Sequence, residues 1–135
     1  MPAQAAAMKP GLSHGGDLTQ RIIGLAMRVH GRLGPGLLES VYDRCLCHEL
    51  GRSGISFERQ APLPVRYDDV VIDCGYIADV IVERRVILEL KSVERMLPLH
   101  QGQLLTYLRL STCRIGLLIN LNTISLTDGI KWCVL

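Results

Sequence analysis

Apolar residues recur at helical spacing in the first third of the chain and in short β-branched runs beyond it. Leu18, Ile22, Leu25 and Val29 form a stripe at three- and four-residue intervals. Asp17-Leu-Thr-Gln20 supplies an N-cap with a Gln three residues on, so a first helix is expected from Asp17. Gly34-Pro35-Gly36 ends that segment. A second helix is expected from about Leu37 to Leu50, with Leu38, Val41, Tyr42, Cys45 and Leu46 inward and Gly51 as its stop. The pattern then shortens. Ile55 to Arg59 reads as a strand and Leu63 to Tyr67 as its continuation after a Pro-containing break, with Asp68-Asp69 turning the chain into Val70, Val71 and Ile72.

Two β-branched runs follow, Val80-Ile-Val82 and Val86-Ile-Leu88, separated by Glu83-Arg84-Arg85. Both faces of these strands are apolar, so layers must cover the sheet on both sides. Pro98 opens a third helix with Leu104, Leu105 and Leu108 as its apolar positions. Ile115 to Asn120 suits a buried parallel strand reached by a helical crossover, and Ile130 to Leu135 suits an edge strand. Helix, helix, strands, helix, strand predicts an α/β fold with a mixed central sheet of about four strands between helices.

At 135 residues the chain fits one domain, expected over residues 17–135. Residues 1–16 are rich in Ala, Gly and Pro and are expected to be a disordered tail, within which Met8 is an alternative start. No apolar run is long enough for a signal peptide or a membrane span, so a cytoplasmic protein with no membrane partner is expected. The 15 Lys and Arg nearly balance the 13 Asp and Glu, which excludes a protein that holds nucleic acid mainly by a basic surface. Arg21, Arg28 and Arg32 share one face of the first helix, which is either solvated or set against phosphates. The five cysteines are odd in number and include no Cys-x-x-Cys, so neither a disulfide framework nor a zinc ribbon is indicated. Reduced, packed thiols are expected, Cys45-x-Cys47 pointing two ways on a helix.

Three charges stand where a covered strand should carry none: Asp79, Glu89 and Lys91. Ionised groups under cover are costly unless they are paired or bind a metal. A two-residue loop at Arg84-Arg85 would set Asp79 opposite Leu90, whereas a three-residue loop at Glu83-Arg84-Arg85 pairs Val82 with Val86, Val80 with Leu88 and Ala78 with Leu90. The other face then holds Ile81 with Ile87, Asp79 with Glu89, and Ile77 with Lys91. The loop has no Asn-Gly or Asp-Gly, which favours the longer form. Opposed Cβ atoms lie roughly 4.5 to 5.5 Å apart, and two carboxylates that close repel unless a cation lies between them. A hard divalent ion with oxygen ligands is the natural candidate.

An Asp followed by Glu-x-Lys on the next strand resembles the PD-(D/E)XK nuclease superfamily. Gly36-x-x-Glu39-x-x-Tyr42 resembles the pattern that names its bacterial GxxExxY branch, although Glu39 also suits the positive end of a helix. Gly34 to Tyr42, Gln60 to Arg66, Val86 to Glu94 and Leu104 to Leu110 are similar to that branch as well, and the likeness runs from about residue 18 to the end. On the third helix Gln103 and Tyr107 stand four apart on one face, as in the Gln-x-x-x-Tyr of the exonuclease branch. Ala78 departs from the Pro that many members carry, a position that sets backbone shape rather than chemistry.

The resemblance implies a restriction-endonuclease-like fold and a metal-dependent nuclease acting on DNA rather than RNA, with a homodimer among the possible states. Asp79, Glu89 and the Leu90 carbonyl would hold Mg²⁺ or Mn²⁺, and Lys91 would orient or deprotonate the water. Glu39 would be a further ligand or a water anchor, and Gln103 and Tyr107 would position the substrate. The competing reading is a catalytically silent nuclease fold that binds nucleic acid or a protein partner. Intact Asp79, Glu89 and Lys91 argue against it, because an unused buried charge cluster is unfavourable.

Overall fold

A computed structural model describes residues 16–135. The tail expected over residues 1–16 lies outside the described residues, except for Gly16, which opens the first helix.

Helix α1 (Gly16–Leu33) buries Leu18, Ile22, Ala26 and Val29. At its end His30 meets the Thr123 carbonyl through Nε2 at 2.7 Å, pinning α1 to the loop just beyond Asn120. The arginine face is partly used: Arg21 donates to the Ser53 carbonyl at 3.1 Å and Arg28 pairs with Glu49 at 3.4 Å. Both partners lie at the end of the second helix, so these residues staple two helices.

Helix α2 (Glu39–Arg52) is rotated from the expected stripe. Tyr42, Leu46 and Leu50 are its buried apolar spine, while Leu38 and Val41 are 73% and 38% exposed. Asp43 and Glu49 are buried beside that spine because each has an arginine partner. The helix also runs past Gly51: it is Gly54, with φ +72°, that takes the left-handed conformation just beyond the helix.

Seven strands follow: β1 (Phe57–Pro62), β2 (Val65–Tyr67), β3 (Val70–Ile72), β4 (Ile77–Val82), β5 (Val86–Lys91), β6 (Ile115–Asn120) and β7 (Ile130–Val134). The central sheet has five strands in the order β1-β4-β5-β6-β7, one more than the four expected. Both antiparallel flanks join the ladder, β1 on β4 and β7 on β6. The stretch after β1 does not continue that strand in the sheet. Pro62 and Pro64 bring no N–H, and β2 and β3 pair only with each other. Helix α3 (Pro98–Leu110) carries the chain over from β5 to β6, which lie parallel.

The sheet is covered on both sides, as its apolar faces require. Helices α1 and α2 pack on Val80, Val82, Val86, Leu88 and Leu90, whereas α3 sets Leu104, Tyr107 and Leu108 against Ile87 and Leu118. No helix among the described residues is long and apolar enough to cross a membrane. Of the cysteines, Cys47, Cys113 and Cys133 are buried and Cys45 half-buried, but Cys74 is exposed.

The close approach of α3 to the sheet depends on Gly116, where an added Cβ would lie 2.8 Å from Leu104 Cδ1. Leu104 is itself fully buried and has nowhere to retreat. Gly116→Ala should therefore cost about 1 to 3 kcal/mol in urea unfolding. Gly24→Ala, on an exposed and unobstructed turn of α1, should be neutral or gain up to about 1 kcal/mol. Equal effects at the two positions would show that α3 can shift freely.

Candidate active site

The hairpin between β4 and β5 turns through Glu83, Arg84 and Arg85, with φ +53° and +55° at the first two. These left-handed residues are held from outside the turn. The Glu83 carboxylate accepts hydrogen bonds from Ser56 N–H at 2.8 Å and Ser56 Oγ at 3.0 Å, which also lower its pKa. The resulting register pairs Val82 with Val86, Ile81 with Ile87 and Val80 with Leu88, the pattern a three-residue loop demands.

Past Val80 and Leu88 the ladder stops, and the two strands part. Ala78 packs with the α3 layer while Leu90 packs with the α1–α2 layer, and none of the expected Ala78–Leu90, Asp79–Glu89 and Ile77–Lys91 ladder pairs is formed. Side chains take over from the backbone at the gap. Asp79 N–H donates to Glu89 Oε2 at 2.7 Å, and Leu90 N–H donates to Asp79 Oδ2 at 2.9 Å. Each carboxylate thus satisfies an amide on the opposite strand. The break extends to the other neighbour: β1 pairs with β4 at Arg59–Val80 and Ala61–Ala78, but Gln60, which would oppose Asp79, has φ +52°.

Glu89 is only 5% exposed, and its carboxyl is pushed up to about 8, first by burial and then by the neighbouring Asp79 charge. Asp79 is half-buried and also raised, chiefly by burial, with the Leu90 amide and Lys91 working in the opposite direction. Lys91, half-buried on the same strand end, lowers both carboxyls. On the α3 side, Gln103 Nε2 donates to the Tyr107 hydroxyl at 3.0 Å. Burial raises the Tyr107 pKa, and Glu89 and Asp79 raise it further, so the phenol stays protonated beside the pair. The Tyr76 ring tilts against Tyr107 at 6.2 Å between centroids.

Opposite α3, a cleft of about 320 Å³ opens between α2 and the sheet, lined by Glu39, Ser40 and Asp43, by Arg59 and Gln60, and by Asp79 and Leu90. Glu39 sits at the start of α2, and its Oε2 accepts the Ser92 N–H at 3.3 Å. Ser92 Oγ donates to the Leu37 carbonyl. The rest of the Gly36-x-x-Glu39-x-x-Tyr42 pattern builds the mount for this contact. Gly34 and Gly36 have φ +71° and +97°, and the Tyr42 hydroxyl donates to the Gly34 carbonyl at 2.6 Å and accepts the Leu37 N–H at 3.1 Å. One face of α2 is thereby locked to the residue after Lys91.

Asn120 is a site-positioning residue that no pattern singled out. Its side chain accepts the Val93 N–H at 3.1 Å and donates to the Val93 carbonyl at 3.0 Å, closing the loop that leaves β5. An Asn ending an otherwise apolar run was the available signal. Arg59, which bonds Asp43 Oδ1 through Nε at 2.8 Å, was likewise unmarked.

Among the described residues no three His, Cys, Asp or Glu side chains are grouped to hold a metal ion. Glu39 lines the same cleft as Asp79, and its charge adds to the rise of both carboxyls. The pair still suits a hard cation. It offers oxygen donors only, in a gap where both carboxyls are unfavourable as neighbouring anions, and Mg²⁺ takes one or two carboxylates while keeping several waters. A family model for the PD-(D/E)XK nuclease superfamily matches residues 16–133. No curated protein and no solved structure matches the chain.

The raised Glu89 carboxyl makes a stability prediction for metal-free protein. Between its ordinary value of 4.5 and about 8, folded Glu89 keeps a proton that the unfolded chain releases. Stability must then fall as pH rises through that window. Glu89→Gln keeps an acceptor for Asp79 N–H but has no proton to lose. The melting temperature of the variant minus that of wild type should thus grow between about pH 5 and about pH 8.5 in chelator. A difference that stays flat across the window would show that Glu89 is not raised.

Proposed function

The chain belongs to the PD-(D/E)XK nuclease superfamily, and from that premise we propose that it is a metal-dependent nuclease of the GxxExxY branch, hydrolysing phosphodiester bonds in DNA. The observation that carries this reading is the exchange at the strand gap, where Asp79 and Glu89 each bind the other strand's amide and Lys91 stands beside them. A cross-strand ion pair alone would have no need to bury Glu89 against a second carboxylate.

Asp79, Glu89 and the Leu90 carbonyl would hold Mg²⁺ or Mn²⁺. Such an ion supplies charge to the phosphoryl oxygens and a more acidic water when bound. The amides of Asp79 and Leu90 fix one oxygen of each carboxylate, which leaves the other oxygen for the cation. Lys91 places an ammonium group next to the reacting phosphate, where it donates to oxygens that gain charge in the transition state and orients the water. Glu39 acts from the side. Through Ser92 it holds the end of β5, and with it Lys91, against α2. Gln103 and Tyr107 present a paired amide and phenol to the substrate from α3. Their likeness to the exonuclease Gln-x-x-x-Tyr is the ground for choosing DNA.

Three proteins test the reading on single- and double-stranded DNA and on RNA: wild type, Glu89→Gln and Lys91→Ala. Wild type should cleave DNA only with Mg²⁺ or Mn²⁺. Mn²⁺ at about 100 times its Kd should stabilise wild type by about 2.7 kcal/mol, with a smaller gain at acid pH, where the proton on Glu89 competes. Glu89→Gln should lose both the stabilisation and the cleavage. Lys91→Ala should keep the stabilisation and lose turnover by about a hundredfold or more. Wild type that binds Mn²⁺ and nucleic acid yet cuts nothing would establish the silent binding module instead.

A further inference from the structure

The Gln60 stretch resembles the family yet has no part in the chemistry above, and its neighbour Arg59 is the one cation among the described residues lining the cleft. We propose that Arg59 and Gln60 form a subsite for the nucleic-acid backbone, Arg59 holding a phosphate adjacent to the scissile one across the cleft from Asp79. The proposal rests on the nuclease reading and adds how the substrate is held.

Three observations converge on it. The first is the way Arg59 is mounted. Its Nε donates to Asp43 Oδ1 at 2.8 Å, and Asp43 is buried on α2, where it also accepts the Cys47 thiol at 3.6 Å. That thiol, pushed up to about 12 by burial and by Asp43, remains a donor at any ordinary pH. The side chain of Arg59 is 34% exposed, with Asp43 on its Nε and the Cys47 thiol as a second neighbour of the guanidinium. The exposed part of a guanidinium held in this way can still offer N–H groups to a phosphate.

The second is charge. Glu39, Asp43 and Asp79 face Arg59 in one cleft, and Asp43 is already matched by it. Lys91 serves the scissile phosphate, so a neighbouring phosphate beside these carboxylates needs a second fixed cation of the protein's own. Arg59 is the group placed to supply it.

The third is the backbone of Gln60. A non-glycine residue at φ +52° is strained, and here it interrupts the β1–β4 ladder opposite Asp79. The side chain lines the cleft rather than packing in the core. Strain of this kind persists where something other than stability selects it.

The test measures binding of a DNA oligomer by fluorescence anisotropy over a salt series, with Ca²⁺ present, alongside melting temperature and steady-state cleavage. The double variant Arg59→Ala with Asp43→Asn removes the cation without stranding a buried carboxylate. It should bind about tenfold more weakly, and its slope of log K against log salt should be shallower by about one, the mark of one lost phosphate contact. Arg59→Lys keeps the Asp43 pair and the charge but not the fork, and should raise KM severalfold with kcat nearly unchanged. Gln60→Gly should hold or raise the melting temperature while weakening binding. If the double variant fails to fold, the Arg59→Lys comparison decides, and an unchanged KM overturns the proposal. Variants that bind with wild-type affinity and slope, while wild type cleaves, sink this subsite and leave the nuclease reading standing. Wild type that neither binds nor cleaves DNA removes both.

Discussion

The amides of Asp79 and Leu90 are the constraint around which this fold is arranged. Where β4 and β5 separate, each loses its backbone partner, and an unpaired buried amide is expensive. The carboxylates of Glu89 and Asp79 replace the missing carbonyls. That solution brings two acids together in a gap with little water, and their pKa values rise in consequence. A sheet that continued its ladder here would need neither carboxylate. The cost is carried by the layers on both sides, which bury Val80, Val82, Leu88 and Leu90 against α1 and α2 and Ile87 against α3.

Holding the gap open at a fixed width is then a problem of bracing. Three clamps meet on the few residues after Glu89. Leu121 N–H donates to the Lys91 carbonyl at 2.9 Å, Glu39 and Leu37 take both donors of Ser92, and Asn120 grips Val93. Two come from the end of β6 and one from the start of α2, so the strand end cannot drift without breaking contacts on two sides. On this view, which is part of the proposed function, Glu39 matters through position: a shift of the strand end would move Lys91 relative to the carboxylates.

Much of this was legible in the chain because it rests on period and loop length. Two apolar runs separated by Glu83-Arg84-Arg85, with no Asn-Gly turn, admit one register that keeps Val80 and Leu88 together, and that register is observed. The crossover to a buried Ile115–Asn120 strand and the start of α3 at Pro98 were readable for the same reason. The rotation of α2 was not. Leu38 and Val41 look like core residues in a helical pattern, but the buried spine is chosen by Tyr42, which must reach the Gly34 carbonyl, and by Asp43, which must reach Arg59. Long-range polar partners decided the helix face, and no local pattern encodes them. The strand gap at Asp79 was also invisible, because a residue drawn into left-handed backbone, as Gln60 is, looks like any strand residue in sequence.

The balance of charge sets the last condition on the proposed activity. With 15 basic and 13 acidic side chains, the field of the whole protein gives a polyanion little attraction. At the cleft itself, Glu39 and Asp79 repel it. On the proposed reading attraction would arise locally, from Lys91, Arg59 and a cation held by the acid pair. On the same reading, a nucleic acid meeting the metal-free site would be repelled by Glu39 and Asp79. Substrate affinity and chemistry would then share one requirement, the bound cation.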